Sequence, residues 1–258
     1  MKHSLFFTTC LCGLLCLLLT GCYTHKQIGL LQDRKDLPQY DSVPYEPYKL
    51  QVNDEIIYRV ITLDETLAKT LAVNVSGNSG YDRQNAYTYR IYSDGTVDLP
   101  FMPPIKLEGL TEKQAQDTVK KYMRELIPDA EVKLALSNKQ FVVLGDIGKG
   151  VRYIYKERMT IYQALAMTGD VNRLGDRKHV RIIRPHGNDK PEVLEFDLRT
   201  NTLINSKYYY IYPNDLIYVR RDTAGYYKQE SYPAFIGMIT SYISVLLLVL
   251  NYIPGFSF

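Results

Sequence analysis

The chain has 258 residues, 46% of them apolar and 23% charged, with 31 Lys and Arg against 28 Asp and Glu. That length holds one or two domains with their own cores. A net charge of +3 excludes a nucleic-acid surface built on gross basicity, and a mean hydropathy of −0.21 excludes a polytopic membrane protein.

Residues 1–21 read as an export signal. Lys2 and His3 precede an uncharged apolar run from Leu5 to Leu19, too short for a membrane span. The run ends in Leu19-Thr20-Gly21-Cys22, which resembles a bacterial lipobox, in which the Cys thiol receives diacylglycerol before cleavage. The four cysteines are Cys10, Cys12, Cys16 and Cys22, so processing leaves no free thiol and no disulfide. Tyr23, not Asp, follows the lipid site, which favours the outer membrane. Lipidation at Cys22 makes the protein membrane-anchored.

Residues 22–47 carry Pro38, Pro44 and Pro47 without periodicity and read as a tether. Tyr48, Leu50 and Val52 alternate, Asn53-Asp54 forms a turn, and Ile56-Ile57-Tyr58 follows, which predicts a hairpin. A second pair is expected at 87–92 and 96–100 around Ser93-Asp94-Gly95. Thr111 with Gln114 forms a capping-box pattern, and Pro128 closes the helix it opens. Ala115, Val119, Tyr122, Met123 and Leu126 share one face of that helix, while Val132, Leu134 and Leu136 alternate as a half-buried strand.

A second unit begins at Phe141, turns at Gly145, Gly148 and Gly150, and repeats the capping-box spacing at Thr160 and Gln163 before stopping at Gly169. Strands are expected at 180–184 and 194–198, then a hairpin of 208–212 and 216–219 around Asn214-Asp215. The stretch from Tyr48 to Ile56 echoes that from Tyr209 to Ile217 in its aromatic, apolar and turn positions. Any two hairpins with Asn-Asp turns share half of this pattern. It still points to two similar small β-rich units, hence an α+β fold with a β-grasp-like second unit.

From Tyr232 to Ile253 the chain carries no charge, a length that spans about 30 Å as a helix. Gly237, Thr240, Ser241, Ser244 and Asn251 fall on one stripe. The absence of Lys and Arg argues against a helix lying in the interface. A single span with a small-residue packing stripe, and a helix turning that stripe to a pore or to neighbouring copies, both remain.

No catalytic constellation stands out. His25, His179 and His186 are scattered, no metal-ligand spacing occurs, and nothing calls for a cofactor. Gly145-Asp-Ile-Gly148-Lys149-Gly150 lacks the spacing and hydroxyl of a phosphate loop. The chain has 23 Tyr and no Trp; packing on half-wet sheet faces is the default for them, with sugar stacking or an interfacial belt as the functional reading. The sequence thus reads as a non-enzyme.

These residues also carry a resemblance. Tyr48-x-Leu-x-x-Asn53-Asp54, then Ser93-Asp94-Gly95-Thr-Val-Asp-Leu-Pro100 and Leu107-Glu-Gly109-Leu-Thr111, resemble the signatures of polysaccharide export outer-membrane lipoproteins, the Wza-type family. Val142-Val-Leu-Gly145-Asp-Ile, Ala164-Leu-Ala-Met-Thr-Gly169 and Pro213-Asn214-Asp215 are similar to a soluble-ligand-binding β-grasp domain. Asn53 and Asn214 stand where that family has Gly, a change turn chemistry tolerates.

The resemblance implies a signal at 1–21, a lipid-anchored tether at 22–47, an export domain at 48–137, a β-grasp domain at 138–222 and a C-terminal membrane helix and tail at 223–258. It implies a homo-oligomeric ring, octameric in the best-known cases, whose helices line a channel for capsular polysaccharide or exopolysaccharide. The implied partners are outer-membrane lipid, the exported polymer and an inner-membrane co-polymerase coupled to a tyrosine kinase. The competing expectation is a monomeric lipid-anchored module that binds a glycan or an envelope protein.

Overall fold

The computed structural model describes residues 28–64, 88–187, 189–222 and 232–252, with side chains of the last helix described over 236–248. Leu30–Arg220 forms one compact unit, and the described residues that flank it belong to a second.

In the larger unit, the first core is built on a three-stranded antiparallel sheet. It comprises β1 (Glu55–Ile61), β2 (Tyr89–Arg90) and β5 (Glu131–Leu136), in the order β2-β1-β5. Ile56 sits opposite Leu136, Tyr58 opposite Leu134 and Val60 opposite Val132. With a period of two, one face of β5 buries Val132, Leu134 and Leu136. Helix α1 (Glu112–Leu126) covers that face with Ala115, Val119 and Met123. Tyr122 and Leu126, expected on the same face, are 37% and 57% exposed instead. The small pair β3 (Thr96–Val97) and β4 (Ile105–Lys106) adds Val97 and Ile105 to this core.

The second core lies under a five-stranded mixed sheet. Its strands are β6 (Gln140–Gly145), β7 (Gly150–Tyr153), β8 (Gly175–His186), β9 (Asp189–Phe196) and β10 (Leu216–Arg221), in the order β7-β6-β10-β8-β9. The last strand enters the sheet parallel to the first, with Ile217 opposite Val143. Helix α2 (Ile161–Thr168) contributes Ile161, Ala164 and Leu165 to a core that includes Phe141, Val180, Ile182 and Phe196. Both α1 and α2 form the capping boxes their sequences spell, and α2 ends on Gly169 at φ 90°. Gly145, at φ 102°, lies where an added Cβ would be 1.9 Å from the Val219 carbonyl oxygen. The close approach of β6 to β10 therefore needs glycine there.

Three expectations are corrected. Neither Asn-Asp turn joins a hairpin: Leu50 exchanges backbone hydrogen bonds with Leu110 and Gly109, while β1 pairs with β5. Likewise Tyr210 bridges to Thr160, while β10 pairs with β6. The longer apolar alternations of β5 and β6 offer the better-packed partners. The turn at Asp94-Gly95 does close, with the Tyr92 N–H donating to the Thr96 carbonyl at 2.8 Å, but β3 then pairs with β4 and β2 with β1.

Residues 30–47, expected as a tether, are held against the second core. The Gln32 N–H donates to the Arg199 carbonyl and the Val43 N–H to that of Asn205, Leu37 is buried, and Tyr40 packs edge-on to Tyr208 at 5.0 Å. An irregular segment can be fixed by its backbone partners without periodicity of its own.

The other unit contains α3 (Tyr232–Tyr252), a 21-residue helix. Among the described residues no helix is long and apolar enough to cross a membrane, so the expected crossing finds no support there. Cys22 and the lipobox lie outside the described residues.

Candidate functional site

The two Asn-Asp turns meet where the two cores join. Asn53 and Asn214 take the left-handed conformation at φ 69° and 66°, which short amide side chains tolerate. Each turn buries the following Asp completely. Each of these carboxylates accepts the backbone N–H three residues back: Asp54 from Gln51 at 2.9 Å and Asp215 from Tyr212 at 2.8 Å. The chain before each turn bridges to a helix cap, Lys49 to Thr111 and Tyr210 to Thr160. The sequence echo is thus a repeated piece of structure.

The repeats differ in charge. Asp54 accepts from the Tyr48 hydroxyl at 2.8 Å and from the Asn214 amide at 3.0 Å, so the second turn donates directly to the first. Burial raises the Asp54 carboxyl above its ordinary value, against the pull of these hydrogen bonds. Asp215 instead receives both arms of Arg184, each at 2.9 Å. Burial pushes this carboxyl up as well, with Arg184 opposing.

Around this buried knot lies a layer of tyrosines. Tyr45 meets Tyr210 edge-on at 4.9 Å and stacks with Tyr212 at 6.2 Å, while Tyr48 stacks with Tyr212 at 6.3 Å. Arg184 lies 4.3 Å from the Tyr212 ring centre and Arg158 4.7 Å from that of Tyr45. Burial pushes the Tyr212 hydroxyl up to about 12, and that of Tyr48 well above the usual tyrosine range. Both therefore stay protonated donors near neutrality: Tyr48 to Asp54, Tyr212 to the Glu46 carbonyl at 2.7 Å.

Two clefts flank this layer and share Tyr45, Pro47, Tyr48, Tyr212 and Pro213. One, of about 400 Å³, is bordered by Lys49, Arg184, His186 and Lys207. The other, of about 690 Å³, runs between the start of α1 and the loop from β7 to α2. No group of three or more His, Cys, Asp or Glu suited to a metal ion occurs among the described residues.

Of the residues singled out in the sequence, Asn53, Asp54, Asn214 and Asp215 come together here. Asp94 and Gly95 (φ 79°) stand at the β2–β3 turn, Asp94 accepting from the Thr96 N–H at 2.9 Å, and Gly145 ends β6. Gly237, Thr240, Ser241 and Ser244 lie exposed on α3, and the side chain of Asn251 is outside the described ones. Thr240 donates to the Ile236 and Gly237 carbonyls and Ser244 to that of Thr240, so these hydroxyl protons are spent within the helix.

Sequence reasoning missed Tyr45, Arg158 and Arg184, and read Tyr208 to Tyr212 as packing residues. Tyr208 and Tyr209 do pack on the core, but Tyr210 and Tyr212 line the clefts. The signal available was Tyr45 set between Pro44 and Pro47, a stiff aromatic segment.

Comparison with known families gives one assignment. Residues 42–137 match the family model described as polysaccharide biosynthesis/export protein. The segment that builds the first core is therefore a domain of the polysaccharide export kind.

Proposed function

We propose that, with this export domain at residues 42–137, the protein is an outer-membrane lipoprotein that assembles into a ring and passes capsular polysaccharide or exopolysaccharide through it. The family match is the observation that carries the reading. Three further features support it: the lipobox-like Leu19-Thr20-Gly21-Cys22, the parallel entry of β10 beside β6 in the second core, and the uncharged run from Tyr232 to Ile253.

Helix α3 exposes Ile243, Val245, Leu246, Leu247 and Leu248 with no protein cover among the described residues. An apolar surface of that kind requires lipid or other protein around it. In this reading the membrane part is the whole uncharged run from Tyr232 to Ile253, taken from the sequence rather than from the described part of α3; its copies pack side by side, and the stripe of Gly237, Thr240, Ser241, Ser244 and Asn251 faces the lumen. Small uncharged groups there let a hydrated polymer slide without tight binding. The partners are further copies of the chain, outer-membrane lipid, the polymer and an inner-membrane co-polymerase.

Ser244→Lys tests the stripe. Charging the lumen is expected to reduce surface polysaccharide on intact cells, with the soluble part still folded by circular dichroism. Unchanged surface polysaccharide overturns the lumenal placement.

A further inference from the structure

The larger of the two clefts has a composition that the export reading does not itself explain. Its wall is tyrosine and proline, and Tyr155, 61% exposed, extends the aromatic surface on the loop between β7 and α2. Its rim holds Lys113, Lys139, Lys156 and Arg158 against Glu112 and Glu157. Lys139 is paired with Glu112 at 2.6 Å. Among the described residues, Lys113, Lys156 and Arg158 make no ion pair, which leaves an excess of positive charge beside the exposed Tyr155 ring and the half-buried rings of Tyr45 and Tyr212.

The backbone at Arg158 is unusual as well. It sits at φ 55°, a region that favours glycine, yet carries the longest cationic side chain, whose guanidinium stands over Tyr45. A large residue held in that conformation marks a position where the side chain's placement outweighs the local cost.

We propose that this cleft is a binding subsite for an anionic saccharide, a short stretch of a polymer bearing carboxylates on pyranose rings. The inference rests on the export reading and names the substrate class for it. A pyranose presents a flat face of C–H groups that packs on a tyrosine ring, and hydroxyls that bond to phenol and backbone groups. Its carboxylate takes charge-assisted hydrogen bonds from Lys156 and Arg158. The volume of about 690 Å³ accommodates a few sugar units, and the rigid knot of Asp54, Asn214, Asp215 and Arg184 beneath keeps the wall in place. A neutral sugar gains only the stacking half of this.

The test is calorimetric titration of the detergent-extracted full chain with hexagalacturonate and with maltohexaose. Three proteins are compared: wild type, Tyr155→Ala, and Lys156→Ala combined with Arg158→Gly. Glycine keeps the left-handed backbone at residue 158 without strain, so the double variant retains its fold. Hexagalacturonate is expected to bind wild type at least about tenfold more tightly than maltohexaose, and to lose about tenfold or more in the double variant. Tyr155→Ala weakens both ligands.

Equal binding of the two sugars, unchanged hexagalacturonate binding in the double variant, or no binding at all overturns the subsite. Light scattering on the same samples separates the two readings. Absent binding in particles of ring mass counts against the cleft alone, whereas a monomer counts against the channel.

Discussion

The turn before β1 and the turn before β10 have the same backbone and differ in how they hold a buried carboxylate. Asp54 rests on neutral donors, a phenol, an amide and a peptide N–H, whereas Asp215 has a full ion pair with Arg184. The local sequence Asn-Asp sets the left-handed step and the inward carboxylate. What satisfies that carboxylate comes from elsewhere in the chain, and it decides how each turn responds to mutation and to pH.

Arg184→Ala breaks the second turn and carries the largest expected effect. It leaves Asp215, fully buried, without its counter-ion, a loss of about 3–5 kcal/mol in denaturant unfolding. Asp215→Asn in the same background should recover part of that loss. No recovery would mean that Arg184 acts through its stacking on Tyr212 rather than through charge.

The first turn should be gentler. Tyr48→Phe removes one hydrogen bond to Asp54 while the Gln51 and Asn214 donors remain, costing about 1 kcal/mol. The pH response sharpens the comparison further. Burial holds the Asp54 pKa above its ordinary 3.8, so its contribution to stability is full below 3.8 and is lost as pH rises through the folded value. Asp54→Asn, which cannot ionise, should show a flatter decline of stability with rising pH than wild type. Parallel pH profiles would show that Asp54 is not the titrating group.

The caps come next and should be alike in the two halves. Thr111→Ala and Thr160→Ala each remove the side-chain acceptor of one capping box, about 1 kcal/mol apiece. Smallest is Glu195→Gln on the exposed face of β9, whose pairing with Arg181 is largely solvated, about 0–1 kcal/mol.

What the sequence made legible follows the range of the interactions. Both helices, their caps and the Gly169 stop are set by residues within a few positions of each other, and each formed where its pattern stood. Both Asn-Asp turns formed for the same reason. The hairpins expected around them did not, because strand partners are chosen by packing across the chain: β10 joins β6, and β1 joins β5.

The docking of residues 30–47 was hidden because backbone hydrogen bonds to Arg199 and Asn205 leave no periodic mark. The clefts were hidden likewise. Tyr45, Arg158 and Tyr212 come from three irregular segments that only the finished fold brings together.

The central claim is assembly through the C-terminal helix. The direct measurement is the particle mass and shape of the detergent-extracted protein, by light scattering with negative-stain imaging, beside a chain ending at Glu230. A closed ring that loses its membrane part on truncation is the predicted result. A monomer indifferent to truncation would contradict the channel and leave a lipid-tethered binding protein in its place.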